Sequence, residues 1–109
     1  MNIREAIDLV DKLKPNNYTD IEKKLWLSVI DKRVFLEIIS THQNGEIDAF
    51  DGYDIDTEDT TELLIPHPYA EEVYRHWLES QIDFANQEIN KFNNDIALFT
   101  RCVRLYQLQ

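Results

Sequence analysis

The spacing of apolar residues predicts two helices at the start of the chain. The first covers residues 1–14, and Pro15 ends it because proline disfavours a helical conformation in the residue before it. Thr19 and Glu22 have the spacing of a capping box, which predicts a second helix over 19–40. The apolar positions of the first helix, three or four residues apart, are Ile3, Ala6, Ile7, Val10 and Leu13.

The second helix is apolar on two faces. One apolar stripe comprises Ile21, Leu25, Val29, Leu36 and Ile39. The other comprises Leu27, Ile30, Val34 and Ile38. A helix that is apolar most of the way round is buried on more than one side. It is therefore either the central helix of a compact bundle or a helix whose second face meets another subunit.

A third helical pattern covers residues 68–107 and predicts one long or broken C-terminal helix. Its apolar positions form a heptad seam, namely Leu78, Ile82, Ala85, Ile89, Phe92, Ile96, Phe99, Val103 and Tyr106. Asparagines from Asn86 to Asn94 mark where the helix would kink or break. Either it folds back as a hairpin, or its seam packs along neighbouring copies.

The C-terminal half of this helix has few predicted partners within its own chain. We therefore expect it to contact another subunit or a partner protein. The residues assigned to this interface are Ile96, Phe99, Val103, Arg104 and Tyr106.

Between the helices lies a predicted acidic loop over 41–67, with a possible short extended segment near its end. Residues 34–74 hold eleven acidic side chains and no Lys or Arg, so the net charge of −10 lies in this part of the chain. Gly45 and Gly52 with few aliphatic residues are typical of an exposed loop. The loop is either a solvated surface or a surface that docks on a partner. The acidic residues assigned to that role are Asp51, Asp54, Asp56, Glu58 and Asp59.

Length and composition narrow the class of protein. A length of 109 residues predicts a single domain, 1–109, and the helical patterns predict that it is mainly α. One cysteine, Cys102, allows no internal disulfide and is typical of an intracellular protein. No signal peptide precedes the first helix, and no apolar run has the roughly 20 residues of a membrane span. An acidic chain is also poorly suited to binding nucleic acid or anionic membranes.

Motifs that would indicate catalysis or metal binding are not found. Residues 51–62 are acidic at both ends but place Tyr53, Ile55 and Asp56 where a calcium loop needs oxygen ligands and glycine. The three histidines and Cys102 do not have zinc-ligand spacing. No phosphate-binding loop or nucleophile elbow occurs. We therefore expect no enzymatic activity, no cofactor and no metal.

Several segments together resemble a known family, and the resemblance covers nearly the whole chain. They are Ile3-Arg4-Glu5-Ala6-Ile7-Asp8, Lys14-Pro15-Asn16, Tyr18-Thr19-Asp20-Ile21-Glu22-Lys23, Phe50-Asp51-Gly52-Tyr53, Asp59-Thr60-Thr61-Glu62-Leu63-Leu64-Ile65-Pro66-His67-Pro68-Tyr69 and Tyr74-Arg75-His76-Trp77-Leu78-Glu79-Ser80-Gln81-Ile82-Asp83. In combination they resemble the small head–tail connector proteins (adaptor or head-completion proteins) of tailed bacteriophages and prophages of Gram-positive bacteria.

The resemblance implies a structural virion protein that is made in the host cytoplasm and assembles as a homo-oligomeric ring beneath the portal. Its partners would be the portal protein and the neighbouring connector or tail protein, with no membrane and with DNA only passing through the channel. The acidic loop would face the lumen or the next connector. Acidic side chains suit a channel that passes DNA, because basic side chains would bind the DNA phosphates. The segment Arg101–Gln109 would face the portal.

Two other functions are compatible with parts of the sequence. An acidic DNA-mimic or inhibitor protein would have the same small size and low pI. That hypothesis predicts acidic residues spaced regularly along a helical face, whereas the acidic residues of this chain are concentrated in a loop. A helical adaptor unrelated to virions would explain the heptad seam alone. It leaves the runs Thr60–Pro68 and Phe50–Tyr53 unexplained.

Overall fold

The computed structural model describes residues 1–39 and 49–108, and over these residues the protein is mainly helical. The predicted fold class, a small helical bundle with two N-terminal helices, an acidic loop and a long or broken C-terminal helix, is confirmed. Residues 40–48, which include the start of the predicted acidic loop, lie outside the described residues. The elements of the described part are α1 (Ile3–Leu13), α2 (Asp20–Val34), a π-helical turn (Phe35–Ile39) that continues α2, α3 (Ala70–Ala85) and α4 (Ile89–Gln107).

Capping boxes fix the starts of α1 and α2. The side-chain oxygen of Asn2 accepts from the amide of Glu5 at 2.8 Å, and the Glu5 carboxylate accepts from the amide of Asn2 at 2.9 Å. Thr19 and Glu22 make the same two hydrogen bonds at 3.1 and 2.9 Å. The capping box predicted at Thr19 is therefore confirmed. In both helices the capping side chains accept hydrogen bonds from backbone amides that would otherwise lack a partner.

The predicted C-terminal helix is broken into a helical hairpin. The chain reverses between Ala85 and Ile89, where Gln87 adopts a left-handed conformation with φ of 62°. Helix α4 then packs back along α3, and the rings of Trp77 and Phe99 lie 5.2 Å apart. Of the two predicted alternatives, the seam thus folds back onto its own chain as a hairpin.

The hydrophobic core lies between the inner faces of the four helices. Helix α2 contributes only the second of its two predicted stripes, because Leu27, Ile30 and Val34 are buried while Leu25 and Val29 face outward. From the other helices the core takes Ile3, Ala6, Ile7, Val10, Val73, Tyr74, Leu78, Ile82, Phe99 and Cys102. The bundle is therefore four helices packed round one core, with α4 lying mainly along α3.

A buried carboxylate joins the loop, α2 and α3 at the centre of the domain. Asp31 is fully buried and accepts hydrogen bonds from the Tyr53 hydroxyl at 2.5 Å, the Tyr74 hydroxyl at 2.6 Å and the Leu64 amide at 3.0 Å. Burial raises the pKa of Asp31, and the three hydrogen bonds oppose that rise. The amide of Ile65 in turn donates to the Tyr74 hydroxyl at 2.8 Å. Residues far apart in the chain are thus held together through one side chain.

The described part of the acidic loop is anchored on α2 rather than being a free solvated loop. Tyr53, Leu63 and Ile65 are buried, which corrects the expectation that this stretch is exposed throughout. The amide of Tyr53 donates to the Ser28 hydroxyl at 2.8 Å. Gly52 has φ of +87°, and a Cβ there would collide with the Ser28 hydroxyl, so this close approach requires glycine.

Ion pairs and backbone contacts fasten the end of the loop. The Lys24 ammonium donates to the Thr57 carbonyl at 2.7 Å and pairs with Asp59 at 2.9 Å. Arg4 also approaches Asp59, at 3.3 Å. The predicted extended segment is reduced to one isolated antiparallel bridge between Asn2 and Glu62. The described part of the loop, residues 49–67, therefore crosses the bundle from α2 to the N-terminus, and we term it the strap.

Candidate interaction surface

The outer face of α2 presents an apolar stripe to solvent. Ile21, Leu25 and Val29 follow one another at four-residue intervals and are 44%, 46% and 51% exposed. Leu36 extends the same face into the π-helical turn. Single exposed apolar residues are ordinary on protein surfaces, but a contiguous row of them marks a contact surface. This outer stripe is the first of the two stripes predicted from sequence.

The predicted interface residues of α4 do not all lie at the surface. Phe99 is 9% exposed and stacks on Trp77, contrary to the expectation that this half of the helix has few partners in its own chain. Ile96, Val103 and Tyr106 are half-buried against the same core, and Arg104 is exposed. The helix packs inward because the break at residues 86–88 returns it to α3. The interface role of the exposed portions stays a prediction.

A groove runs between the C-terminal end of α2 with its π-helical turn and the C-terminal half of α4. Its floor consists of Ile30, Val34, Ile38, Phe99 and Val103, and its volume is about 210 Å³. Arg33 and Glu37 from the α2 side, and Thr100, Arg104 and Gln107 from α4, line its edges. Small-molecule sites usually measure about 300–1,000 Å³. This groove is smaller and suits an inserted side chain better than a cofactor.

The predicted acidic residues of the loop separate into two groups. Asp51, Asp54, Asp56 and Glu58 are exposed, and within the described part of the chain they make no ion pair. Asp59 instead pairs with Lys24 and Arg4, which lower its pKa. The exposed group forms an acidic surface on the strap, whereas Asp59 holds the strap in place.

Two carboxyl groups share a buried position between α3 and α4. Asp83 and Asp95 are both more than nine-tenths buried, and the Lys14 ammonium pairs with Asp83 at 2.5 Å. Burial, and next the hydrogen bond with Asp83, raise the pKa of Asp95 to about 7. Burial also opposes ionisation of Asp83, but the hydrogen bonds from Asp95 and Lys14 outweigh it and lower that pKa. Glu79 and Glu88 face the pair as well, and Lys14 supplies the positive charge that acts on it among the described residues.

This pair makes stability depend on pH. Because the pKa of Asp95 is raised on folding, the folded chain retains a proton that the unfolded chain has lost between about pH 4 and pH 7. The unfolding free energy should therefore fall as pH rises through this range and level off above it. Asp95→Asn should be more stable than wild type near neutral pH, with a gain that shrinks towards acid pH. Urea unfolding of both proteins across this range checks the difference.

The exposed Asp51 provides the control for this experiment. Asp51→Asn removes the same charge without touching the pair, so its unfolding free energy should follow wild type at every pH. An Asp95→Asn variant with the same pH dependence as wild type would contradict a shared proton at Asp95.

The chemistry available in the described part of the chain is limited. No group of three His, Cys, Asp or Glu side chains there is arranged to hold a metal ion. Cys102 lies 3.7 Å from a Glu72 oxygen, and burial followed by this neighbouring carboxylate raises the pKa of its thiol. That thiol is therefore protonated at neutral pH and a weak nucleophile. None of the helices described is long and apolar enough to span a membrane.

Sequence reasoning missed two residues of the interaction surface and one buried residue that anchors the strap. Arg33 lines the groove, but in the sequence it lies among the residues of two apolar stripes and did not stand out. Ile55 is exposed in the middle of the acidic stretch. Asp31 looked like an ordinary helical acid. The available signal was its position: it is an acid on the buried side of α2, between Leu27 and Val34.

Comparison with known proteins finds no family model, no curated protein and no solved structure that matches the chain.

Proposed function

We propose that this protein is a structural virion protein, a head–tail connector subunit that assembles beneath the portal and docks the next connector or tail component. The sequence resemblance supplies the identity of the assembly. The geometry supports the more general part of the proposal, that the chain works by contacting other protein chains.

The outer stripe of α2 is the observation that carries the proposal. Three apolar side chains, each about half exposed, lie in a row on a helix whose opposite face is already buried. Covering such a row with protein is favourable at roughly 25 cal/mol for each Å² removed from water. In an assembled subunit this apolar face can be covered by a neighbouring chain, whereas in an isolated monomer it stays exposed to water.

The charge distribution agrees with a protein that lies next to DNA without binding it. The strap presents Asp51, Asp54, Asp56 and Glu58 to solvent, and these acids repel phosphate. The C-terminal part of α4 has a net positive charge, because it carries Arg101 and Arg104 and no acid after Asp95. In the proposed assembly the acidic strap faces the lumen or the next connector. The end of α4, where Leu108 is exposed, faces the portal.

A single substitution in the outer stripe tests the proposal. Val29→Asp places a charge in the centre of the stripe, so it should abolish entry into a complex with the portal protein of the same genome. The helical content should stay unchanged, because Val29 is half exposed. Light scattering gives the mass of the complex, and far-UV circular dichroism gives the helical content.

Leu13→Asp is the matched control for this substitution. Leu13 is equally apolar and 47% exposed, but it lies at the end of α1, off the stripe. This variant should assemble like wild type. A Val29→Asp variant that assembles as well as Leu13→Asp would remove the outer stripe from the proposal.

A further inference from the structure

The strap carries a rigid, exposed turn with an apolar tip. Ile55 is 62% exposed and stands between the exposed acids Asp54 and Asp56. The Asp54 side chain accepts from the Asp56 amide at 2.8 Å, and the Thr57 hydroxyl accepts from the Asp54 amide at 2.9 Å. These bonds hold the turn in shape before any partner arrives, so little conformational entropy is lost on docking.

Contacts on either side fix this turn to α2. Before it, the Tyr53 hydroxyl donates to the buried Asp31. After it, the Thr57 carbonyl accepts from the Lys24 ammonium. The Asp54–Thr57 turn, which we term the acidic knob, therefore projects from the bundle as a fixed feature.

The groove between α2 and α4 has the complementary chemistry. Its floor is apolar, Arg33 and Arg104 lie at its edges, and Glu37 is the one acid among the described residues that line it. Glu37 pairs with Arg33 at 3.6 Å, so Arg104 is the cation in the lining for which no acid partner is found among the described residues. The acidic knob is complementary to this lining, because its exposed aliphatic side chain lies between two carboxylates.

The acidic knob and the groove lie on different sides of α2. Lys24 faces the strap and Arg33 faces the groove. Nine residues separate them, which at about 100° per residue places their side chains about half a turn apart on the helix. One copy therefore cannot fill its own groove with its own knob, but two copies placed side by side can.

We propose that the groove of each copy receives the acidic knob of the next copy, with Ile55 on the apolar floor and Asp54 or Asp56 beside Arg104. This contact joins two different surfaces, so it is heterologous, and repetition of it closes a ring or extends a filament. The inference rests on the proposed function and deepens it, because it names the contact between subunits. Asp51 and Glu58 lie outside the acidic knob and are the strap acids left to face the lumen or the next connector. The outer stripe, which lies between the two surfaces on α2, is left for a different partner.

Charge complementarity favours a second copy as the occupant. The described chain itself supplies an exposed aliphatic residue flanked by acids, and the groove needs an aliphatic side chain with negative charge near Arg104. Opposite charges across an interface also fix its register and disfavour other pairings. The net charge of −10 opposes random self-association, so a local site of positive charge favours association through that site over other contacts.

Disulfide trapping tests the contact directly. Ile55→Cys on the acidic knob and Thr100→Cys at the edge of the groove are placed in one chain, with Cys102→Ala removing the native thiol. Mild oxidation should give a ladder of dimers, trimers and higher species on a non-reducing gel. A heterologous contact leaves one knob and one groove open after each step, which is why the ladder continues beyond the dimer.

Leu105→Cys in place of Thr100→Cys is the positional control. Leu105 is on the same helix and 50% exposed, but it lies on the other side, beside Glu72 and His76. This pair should give about tenfold less cross-linked product. A ladder of equal strength from both pairs, a product that stops at the dimer, or no product at increasing concentration would each overturn the proposal.

Charge reversal adds a second test on the trapping variant. Arg104→Glu should reduce the rate of cross-linking by about tenfold or more, because like charges then face each other. Adding Asp54→Lys and Asp56→Lys to that chain should restore the ladder. Failure to restore it would contradict the proposed pairing.

The portal experiment separates this inference from the proposed function. If the trapping pair gives no ladder while wild type still enters a complex with the portal, the knob-and-groove contact is wrong and the connector proposal stands. If the ladder forms but no portal complex does, self-association is retained and the connector function fails.

Discussion

Replacing Asp31 by alanine should destabilise the domain by about 3 kcal/mol or more, measured as the free energy of unfolding in urea. The substitution leaves two tyrosine hydroxyls and the Leu64 amide without their acceptor, at about 1–3 kcal/mol for each buried group that finds no new partner. A domain of this kind is stable by only about 5–15 kcal/mol in total. The strap should loosen first, because both Tyr53 and Leu64 are held through Asp31.

Asp31→Asn distinguishes hydrogen bonding from charge. The amide keeps one acceptor oxygen and nearly the same volume, so we expect a loss smaller than that of Asp31→Ala. Asp51→Ala is the control, because Asp51 is exposed and carries the same formal charge. If Asp31→Ala unfolds at the same urea concentration as this control, the buried carboxylate does not organise the fold.

Replacing Phe99 by aspartate should unfold the α3–α4 hairpin or the whole domain. The side chain is 9% exposed and packs on Trp77, and removal of a buried phenylalanine ring alone costs about 3–5 kcal/mol. The aspartate adds a charge at a position where the buried surroundings are apolar. Far-UV circular dichroism should show a loss of helix, and near-UV circular dichroism should lose the signal of Trp77.

Leu105→Asp is the matched control on the same helix. Leu105 is half exposed, and the change of side chain is comparable, so the variant should retain native helicity. A Phe99→Asp protein with native helicity and native stability would show that α4 does not depend on this core contact. The assignment of Phe99 to the core of its own chain would then be wrong.

Local sequence signals predicted the start of α2 and the helical character of both ends of the chain. The capping box at Thr19 needs only residues three positions apart, so it can be seen without the fold. The asparagines after Ala85 similarly indicated where the C-terminal helix would break. The sequence left the hairpin and the continuous seam as alternatives, because both bury the same apolar residues.

Contacts between distant segments could not be predicted in the same way. The two stripes of α2 are about equally apolar, and which one is covered depends on where α1 and α3 pack. Asp31 meets Tyr53 and Tyr74 only after the loop crosses α2, so no local pattern marks its role. The packing of α4 against the bundle also places Arg33 and Arg104 on the same groove. From the sequence, Arg104 was assigned to an interface and Arg33 was not.

The proposed connector uses three separate surfaces of a small domain. The outer stripe supplies apolar contact area, and the acidic knob and the groove supply complementary surfaces between copies. Each surface has its own variant, Val29→Asp, the trapping pair or Arg104→Glu. Loss of one contact can therefore be separated from loss of the fold.

The most direct test of the central claim is the mass of the wild-type protein in solution, measured by light scattering over a series of concentrations, with and without the purified portal of the same genome. The account predicts a ring-sized multiple of the 13.0 kDa chain, or a stable complex with the portal that contains several copies. A 13.0 kDa monomer at every concentration that also ignores the portal would contradict a connector subunit.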